Sequence, residues 1–318
     1  MSRQQAQGET PPTVRTSRIS AQTDDRPSCA VVVFAHNEAA HIRQALTAVA
    51  RGVDDTSTIE VWVLANGCSD QTSEEVRACA ALLRNLWLVE IPLGDKANAW
   101  NVYVHEIAAA QHRQVVDTHV FTDGDVAIEP GAIAQLMASM RQNSSVLAVG
   151  GMPASGRDKA GWRQRMVENG LLAGNLYALS GRFLEAVRSQ GIRLPVGIVG
   201  EDFVVSWLVD LVQVPGVAGR TRRMMFCPSA EFSFRSLSPL RPADWRTYAR
   251  RKWRYTRRAL ELEMLLHVLR RGGLDAMPPD VTHLYRHGPL PSRLKWDGLD
   301  TPLRLAAVLG IRRFRRRA

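Results

Sequence analysis

Residues 29–38 read CAVVVFAHNE, an apolar run that ends in a polar loop. A short run rich in β-branched residues predicts a buried strand, and the polar pair Asn37-Glu38 indicates that the strand has ended. Residues 39–50 follow with apolar side chains at helical spacing. This succession of strand, polar loop and helix recurs further along the chain, and the fold can be predicted from it.

Three further apolar runs, at residues 59–64, 86–91 and 119–122, each lead into a polar loop. Helical patterns of about 10–15 residues separate the runs, and this alternation predicts an α/β fold. We expect a mostly parallel central sheet with helices on both faces. Ligands of such sheets bind beyond the carboxyl ends of the strands. The four polar loops are therefore expected to border one crevice.

The fourth loop contains Asp123-Gly124-Asp125, directly after the run at residues 119–122. Carboxylate oxygens are hard ligands that suit Mg²⁺ or Mn²⁺, and glycine lets the backbone approach a ligand closely. A divalent cation held there would neutralise a diphosphate leaving group. The same residues also fit an ordinary turn at the end of a strand. Their place beside three other polar loops favours the metal site.

Two further charged positions are candidates for a site. Lys96 lies just before a helical pattern, where an ammonium beside free N–H groups can meet a phosphate; the alternative is a solvated lysine. Glu201 and Asp202 open an apolar helix at residues 203–212. The alternative interpretation of this pair is a helix N-terminus that favours acidic residues. The helix dipole would lower the pKa of Asp202.

Composition excludes several classes of protein. The 318 residues are 45% apolar, which predicts one large domain or two smaller ones with a real core. Residues 1–27 are polar and lack the apolar segment of a secretory signal, so we expect a disordered N-terminal segment. No G-x-G-x-x-G follows the first strand, which disfavours a dinucleotide oxidoreductase. The four cysteines show no paired spacing and fit reduced cytosolic thiols.

The C-terminal quarter is strongly basic. Residues 241–318 contain 19 Lys and Arg against 7 Asp and Glu, whereas the rest of the chain is close to neutral. Helical spacing predicts an apolar stripe that faces the core, at Trp245, Ala249, Trp253, Thr256, Leu260, Met264 and Val268. Residues 302–317 mix apolar side chains with arginines, which suits an interfacial helix on an anionic membrane. A solvated basic surface is the alternative, and nucleic-acid binding is disfavoured because no recognition module accompanies the charge.

Five short motifs occur in order along the chain: VVVFAHNE, VLANGCSDQT, GDKANAWN, FTDGD and GED. Together they resemble the inverting family 2 glycosyltransferases, which have the GT-A fold, and the resemblance extends from about Cys29 to Trp207. It implies a GT-A nucleotide-diphospho-sugar transferase domain at residues 28–235. A basic helical extension would follow at residues 236–318.

The resemblance also implies roles for the acidic residues. Asp125 would bind Mg²⁺ or Mn²⁺, and Asp123 would assist the metal or hold the donor ribose. Asp202 would be the catalytic base that takes the proton of the acceptor hydroxyl, with Glu201 beside the donor.

Four further residues are implied to bind the nucleotide sugar: Ala35, Glu38, Asn66 and Lys96. Relatives often carry two acids before the glycine of the second loop, and the first of them contacts uracil. Ala65 stands at that first position here, so the carboxylate that would contact uracil is replaced by a methyl group. Asn66 stands at the second, and its amide can still hydrogen-bond to a base edge.

The implied activity is metal-dependent, non-processive, inverting transfer of one sugar. The expected donor is a nucleotide-sugar, with UDP-sugar first, and the acceptor is a hydroxyl of a glycan or of a lipid-linked intermediate in polysaccharide biosynthesis. One alternative is a nucleotidyltransferase on a similar sheet, which would need a Gly-rich basic loop where this chain has His36-Asn37-Glu38. Another is a non-catalytic protein that binds anionic membranes. The expected location is cytoplasmic, with a peripheral position on the inner face of the cell membrane.

Overall fold

The computed structural model describes residues 13–21, 27–109, 116–142, 144–217, 223–234, 241–290 and 298–317. One nine-stranded sheet runs through these ranges. Its strands are β1 Arg15–Arg18, β2 Cys29–Ala35, β3 Ile59–Asn66, β4 Leu86–Ile91, β5 Thr118–Asp123, β6 Ala127–Ile128, β7 Ala148–Pro153, β8 Leu176–Ser180 and β9 Met224–Ser233. They lie in the order β1-β4-β3-β2-β5-β8-β7-β9-β6. The four strands predicted from the sequence, β2, β3, β4 and β5, are therefore adjacent in the sheet.

The sheet is parallel from β4 through β3 and β2 to β5, and its other strand pairs are mostly antiparallel. β2 pairs in parallel with β3 and β5, and β3 pairs in parallel with β4. β8 is antiparallel to both β5 and β7, whereas β9 is parallel to β7. The carboxyl ends of β2, β3, β4, β5, β7 and β9 therefore share one edge. The strand order reverses direction between β2 and β5, where ligands bind in sheets of this kind.

Helices cover both faces of the sheet, as the alternation predicted. They are α1 Ile42–Arg51, α2 Thr72–Arg77, α3 Lys96–Val102, α4 Ala132–Gln142, α5 Lys159–Asn169, α6 Gly181–Ser189, α7 Glu201–Leu211, α8 Pro242–Gly272, α9 Val281–His287 and α10 Thr301–Arg317. A single wider turn, Tyr103–Ile107, extends α3.

Alternate residues of β2 divide the core into two layers. Val31 and Val33 belong to the layer that contains the buried side chains of α1, α2 and α4, whereas Val32 and Phe34 belong to the layer of α3, α6, α7 and the C-terminal helices. This is the two-residue periodicity of a strand buried on both faces. Each fully buried aliphatic side chain stabilises the fold by about 1.5–3 kcal/mol. The four cysteines are free.

The N-terminal segment is partly ordered, so the expectation of disorder over residues 1–27 is wrong for β1. This strand pairs antiparallel with β4. The Arg18 guanidinium donates to Asn85 Oδ1 at 2.9 Å and lies over the Trp87 ring, 5.4 Å from its centroid. A four-residue polar edge strand has no apolar alternation by which the sequence could reveal it. Residues 1–12 and 22–26 lie outside the described ranges.

The apolar stripe of α8 is buried only in its second half. Leu260 and Met264 lie in the core on one face of the sheet. Trp245 is 60% exposed and Trp253 is 39% exposed. The expectation that the whole stripe faces the core is therefore wrong for the first half of the helix. The periodicity was correct, but it does not show how far the underlying core extends.

The last helix, α10, packs against α8 and α9 through Ala307, Val308 and Ile311, which belong to the same core layer. The Arg315 Nε donates to the carbonyl oxygen of Tyr285 at 2.6 Å. The predicted C-terminal helical extension therefore exists and shares the core of the sheet. Across the ranges described, none of the helices combines the length and apolar character that a membrane crossing requires.

Candidate functional site

The loops after β2 and β5 meet at the point where the strand order reverses. Phe34 is paired with Asp123 in the register of the two strands. The Gly124 N–H donates to the Phe34 carbonyl oxygen at 2.8 Å. A Cβ at Gly124 would lie 3.1 Å from that oxygen, so a larger residue would push the loop outward. This close approach holds Asp123 and the exposed Asp125 at the carboxyl edge of the sheet.

Hydrogen bonds join the loop after β2 to the loop after β3. Asn37 has a left-handed backbone conformation, with φ of 58°, which asparagine tolerates better than most residues. Its Oδ1 accepts from the Ser69 N–H at 2.8 Å, and Asp70 Oδ2 accepts from the Ala39 N–H at 3.1 Å. Because each loop supplies an acceptor to the other, the two are fixed relative to each other without a ligand.

Ala35 and Asn66 are the last residues of β2 and β3, and they contact each other. Asn66 Nδ2 donates to the Ala35 carbonyl oxygen at 2.9 Å and to the Leu64 carbonyl oxygen at 3.2 Å. Asn66 is buried, and its amide nitrogen is already used within the sheet. The nucleotide contacts of Ala35 and Asn66 stay predictions.

Lys96 begins α3 and pairs with two carboxylates that the sequence could not place together. Its Nζ lies 2.5 Å from Asp123 Oδ1 and 2.8 Å from Glu201 Oε1. It also lies over the Phe34 ring, 5.0 Å from the centroid. Burial lowers the pKa of Lys96, but the charges of Asp123 and Glu201 outweigh burial and raise that pKa well above its ordinary value. The alternative of a solvated lysine is therefore wrong.

Asp202 lies at the first turn of α7. Gly200, just before this helix, has φ of +92°, and a Cβ there would lie 2.6 Å from Arg258 Cδ, so a side chain at this position is strained and crowded. Asp202 Oδ2 accepts from the Gly174 N–H at 3.0 Å. Burial, followed by the charge of Glu201, raises the pKa of Asp202 to about 6. The expectation that the helix dipole would lower this pKa is wrong, because burial dominates.

Gly174 and Tyr177 belong to this site but were not found from the sequence. A Cβ at Gly174 would lie 3.1 Å from Lys96 Nζ and 3.4 Å from Asp202 Oδ2, so glycine leaves room between these groups. Tyr177 stacks on Phe121 at 5.0 Å between ring centroids, and its buried hydroxyl has no hydrogen-bond partner within the described ranges. The pattern NLYALS at residues 175–180 predicts a strand, but it does not indicate that Tyr177 lies near Lys96 and Asp202.

A buried acid on α8 holds the segment that precedes Asp202. Glu261 Oε2 accepts from the Val199 N–H at 3.1 Å. Its other oxygen accepts from Arg257 Nη2 at 2.8 Å and from the Tyr285 hydroxyl. Glu261 is fully buried, so these donors replace the water that it loses on folding. The four-residue spacing of Arg257 and Glu261 is typical of an ion pair on the surface of a helix. Only the packing shows that Glu261 also holds the segment before Asp202.

Two arginines of α8 act on the acidic pair. Burial raises the pKa of Glu201, but the charge of Lys96 and, to a smaller extent, that of Arg254 outweigh burial and lower it. The charge of Arg258 acts with that of Lys96 to lower the pKa of Asp202, which burial and the charge of Glu201 nevertheless raise. The Arg258 guanidinium lies over the Phe203 ring, 4.9 Å from the centroid. The basic C-terminal region therefore borders the crevice.

The predicted metal ligands form an open pair. Among the described residues, no three His, Cys, Asp or Glu side chains converge closely enough to enclose an ion. Burial and the charges of Asp125 and Asp123 raise the pKa of Glu38. This excess of negative charge is what a divalent cation would relieve, and Mg²⁺ is commonly bound by one or two carboxylates together with substrate phosphates. The residues present therefore fit such an ion.

Comparison with known families gives a match over this region. The model described as Glycosyl transferase family 2 matches residues 30–197, which is more than half of the chain. The match covers the first four predicted strands and their loops, and it ends just before Glu201 and Asp202. No curated protein matches the chain.

Solved structures similar to this chain include the mannosyltransferase PcManGT from Pyrobaculum calidifontis in complex with GDP-Man and Mn²⁺. It has a TM-score of 0.56 and 19% identity, covering 90% of this chain and 74% of that one. S. aureus TarS 1–349 in complex with UDP-GlcNAc has a TM-score of 0.53 and 14% identity, covering 90% and 81%. At these identities the likeness shows the fold, so the GT-A prediction is confirmed.

Proposed function

Because the chain belongs to glycosyl transferase family 2, we propose that it transfers one sugar from a nucleotide-sugar to an acceptor hydroxyl with inversion at the anomeric carbon. The observation that carries the proposal is the arrangement of Asp202 and Lys96. A carboxyl group with a pKa of about 6 lies beside a half-buried cation that pairs with Asp123 and Glu201. A base and a charge-neutralising group therefore border one crevice, as this reaction requires.

Asp202 is the catalytic base of this proposal. Its carboxylate takes the proton from the acceptor hydroxyl as that oxygen bonds to the anomeric carbon, and the bond to the diphosphate breaks on the opposite side. A pKa of about 6 leaves Asp202 mostly ionised at neutral pH and more basic than an ordinary aspartate. The Gly174 N–H orients one carboxylate oxygen.

The donor occupies the crevice at the ends of β2, β3 and β5. Ala35, Glu38 and Asn66 border the nucleotide, Lys96 and Glu201 lie beside the diphosphate and sugar, and Asp123 holds the ribose or the metal. Mg²⁺ or Mn²⁺ held by Asp125 and Asp123 would neutralise the charge of the leaving diphosphate. The PcManGT structure contains Mn²⁺, which supports the choice of ion to test.

A UDP-sugar is the first donor to test, and a GDP-sugar is the second. TarS and PcManGT were solved with UDP-GlcNAc and GDP-Man respectively, so both bases occur among proteins with this fold. The acceptor is a hydroxyl of a glycan or of a lipid-linked glycan intermediate.

The test is a thermal-shift panel of nucleotide-sugars with and without Mn²⁺, followed by an assay for nucleoside diphosphate release. A selective donor raises the apparent melting temperature by mass action. Release of nucleoside diphosphate is the expected result. Release of pyrophosphate in a parallel assay with a nucleoside triphosphate and a sugar phosphate would instead indicate a nucleotidyltransferase. Absence of both nucleotide binding and turnover across the panel would contradict the proposal.

Association with an anionic membrane is a second part of the proposal. Trp245 on α8 and Leu305 and Leu309 on α10 are exposed, and α10 also exposes several arginines, including Arg312 and Arg316. Apolar side chains beside arginines suit the interface of an anionic leaflet. A peripheral position on the inner face of the cell membrane would bring the enzyme to lipid-linked acceptors.

Vesicle sedimentation tests this second part. Wild-type protein should sediment with vesicles that contain phosphatidylglycerol and remain unbound with phosphatidylcholine alone. Arg312→Gln with Arg316→Gln should weaken sedimentation, since each basic residue near such a surface contributes about 1 kcal/mol. Equal sedimentation with both kinds of vesicle would contradict a role for the arginines.

A further inference from the structure

A second cleft lies at the same edge of the sheet as the donor crevice. It is bounded by the loop after β7, by α5, by the end of β9 and by the first half of α8, and its volume is about 390 Å³. Sites of about 300–1,000 Å³ are typical for small ligands. Its lining residues are distinct from Lys96, Asp123, Glu201 and Asp202.

The cleft has an excess of positive charge. Its charged side chains are Arg157, Arg165, Arg251, Lys252 and Asp158. Asp158 pairs with Arg165 at 2.8 Å, and Lys252 pairs with an acid on the segment before α10, Asp300, at 2.6 Å. Arg157 and Arg251 have no ion-pair partner among the residues that the structure describes. Two uncompensated guanidinium groups suit a phosphate or a carboxylate, which they can bind through paired hydrogen bonds.

Aromatic rings form the rest of the wall. Trp162 and Phe234 meet edge to face, with ring centroids 5.7 Å apart. Tyr248 and Tyr255 line the opposite side on α8 and are 45% and 49% exposed. Exposed aromatic faces grouped around a cleft are apolar surfaces that commonly bind a ligand. The flat C–H face of a pyranose ring has the shape and polarity to pack on them.

The cleft and the donor crevice lie at different strands along the same edge of the sheet. β2 and β5 border the crevice, whereas β7 and β9, whose carboxyl ends share the same edge, border the cleft. Arg258 connects the two sites. Its guanidinium lies 4.9 Å from the ring centroid of Tyr255, which lines the cleft, and 4.9 Å from that of Phe203, which follows Asp202 in the chain. Tyr255 and Arg258 are one turn of α8 apart, about 4.5 Å along the helix axis.

We infer that this cleft binds the anionic part of the acceptor, a sugar that carries a phosphate or carboxylate. Arg157 and Arg251 bind the anionic group, and the aromatic wall packs against the sugar ring. The inference rests on the proposed function, since it assigns the cleft to the second substrate of the same transfer.

Calorimetric titration of the full chain tests the inference with probes that share one pyranose ring. Glucose 6-phosphate should bind about tenfold or more tightly than methyl glucoside, because hydrogen bonds to a charged group are the stronger ones. Arg157→Gln combined with Arg251→Gln should weaken glucose 6-phosphate binding by about tenfold or more. Arg270→Gln combined with Arg271→Gln removes the same charge from the exposed last turn of α8 and should change binding by less than about twofold.

Two further titrations have separate purposes. One distinguishes the sources of the anion, and the other distinguishes failure of this inference from failure of the proposed function. Binding of the methyl phosphodiester of glucose 6-phosphate supports a polymeric or lipid-linked acceptor, and binding of the monoester alone supports a free sugar phosphate. The inference is overturned if glucose 6-phosphate binds no better than methyl glucoside, or if both double variants weaken binding equally. UDP and GDP titrated into the Arg157→Gln, Arg251→Gln double variant report on the donor crevice, because the guanidinium groups of the cleft are absent. Failure of both nucleotides to bind contradicts the proposed function without changing the meaning of the probe result.

Discussion

The Lys96 ammonium lies 2.8 Å from the Glu201 carboxylate, although the two residues begin different helices, α3 and α7. The same ammonium lies 2.5 Å from Asp123 at the end of β5. One cation therefore joins three elements of the fold at the edge of the sheet. Buried charges are unfavourable unless they are paired, so each of these groups depends on the others.

Replacement of Lys96 by an uncharged residue should leave Asp123 and Glu201 without their cation and should raise the pKa of Asp202. Lys96→Met leaves two carboxylates without their cation, and we expect turnover to fall by about 10²-fold or more. Because the charge of Lys96 lowers the pKa of Asp202, the acidic limb of the pH–rate profile should move to higher pH. Lys96→Arg keeps the charge and should shift the limb less. The measurement is nucleoside diphosphate release across pH 5–9, and an unchanged limb in Lys96→Met would contradict the argument.

Asp202→Asn should abolish most turnover while the fold and the donor site persist. A positioned general base contributes about 10²–10⁴-fold to a rate, and the amide has no basic oxygen to replace it. Nucleotide binding, followed by thermal shift, should stay within a few-fold of wild type. The control is Asp210→Asn in the last turn of the same helix, which should keep nearly full turnover. Comparable turnover in both variants would remove Asp202 from the mechanism.

The raised pKa of Asp202 also makes a prediction for stability. Its folded-state pKa of about 6 exceeds its ordinary value of 3.8, so the protonated form favours the folded state. This contribution is fully present below the ordinary value and is lost as the pH rises through about 6. Asp202→Asn should therefore raise the free energy of unfolding relative to wild type at pH 7.5, and the difference should shrink towards pH 4. Urea unfolding at several pH values measures it, and a difference independent of pH would be inconsistent with the raised pKa.

Asp125→Ala should remove metal-dependent binding with little effect on the fold, because the side chain is exposed. The melting temperature with Mn²⁺ and UDP should rise in the wild type and change little in the variant. Asp117→Ala is the matched control, since this exposed aspartate lies at the opposite end of β5. If Asp125→Ala and wild type respond equally to Mn²⁺, Asp125 is not a ligand.

Glu261→Gln should destabilise the chain and disturb the position of Asp202. The amide loses the charge that Arg257 and the Tyr285 hydroxyl contact. Glu261 is fully buried, so disrupting its hydrogen bonds should cost about 1–3 kcal/mol in the free energy of unfolding. The control is Glu263→Gln, an exposed acid on the same helix paired with Arg304, which should cost less than about 1 kcal/mol. A positioning role further predicts a shifted pH–rate profile for Glu261→Gln under conditions in which both variants are folded. Equal effects of the two substitutions on stability and on the profile would show that Glu261 has no special role.

Much of the fold and part of the candidate site could be predicted from local sequence. The β-branched runs that became β2 and β3, the helices after them and the polar loops at the strand ends follow from periodicity and turn chemistry. The place of Asp123 at the end of β5 follows from the same reasoning. β1 could not be predicted in this way, because a short polar edge strand is stabilised by its partner β4 rather than by its own pattern.

Local sequence patterns are sufficient to predict which residue types stand at the carboxyl edge of an α/β sheet. Which of those residues contact one another depends on how the elements pack. Lys96 pairs with Glu201, Glu261 supports the segment before Asp202, and Arg258 lies between that acid and a second cleft. Local patterns are set by backbone geometry over a few residues, whereas these contacts join residues far apart in the chain. The pKa of Asp202 has the same origin, since burial and neighbouring charge exist only after the helices have packed.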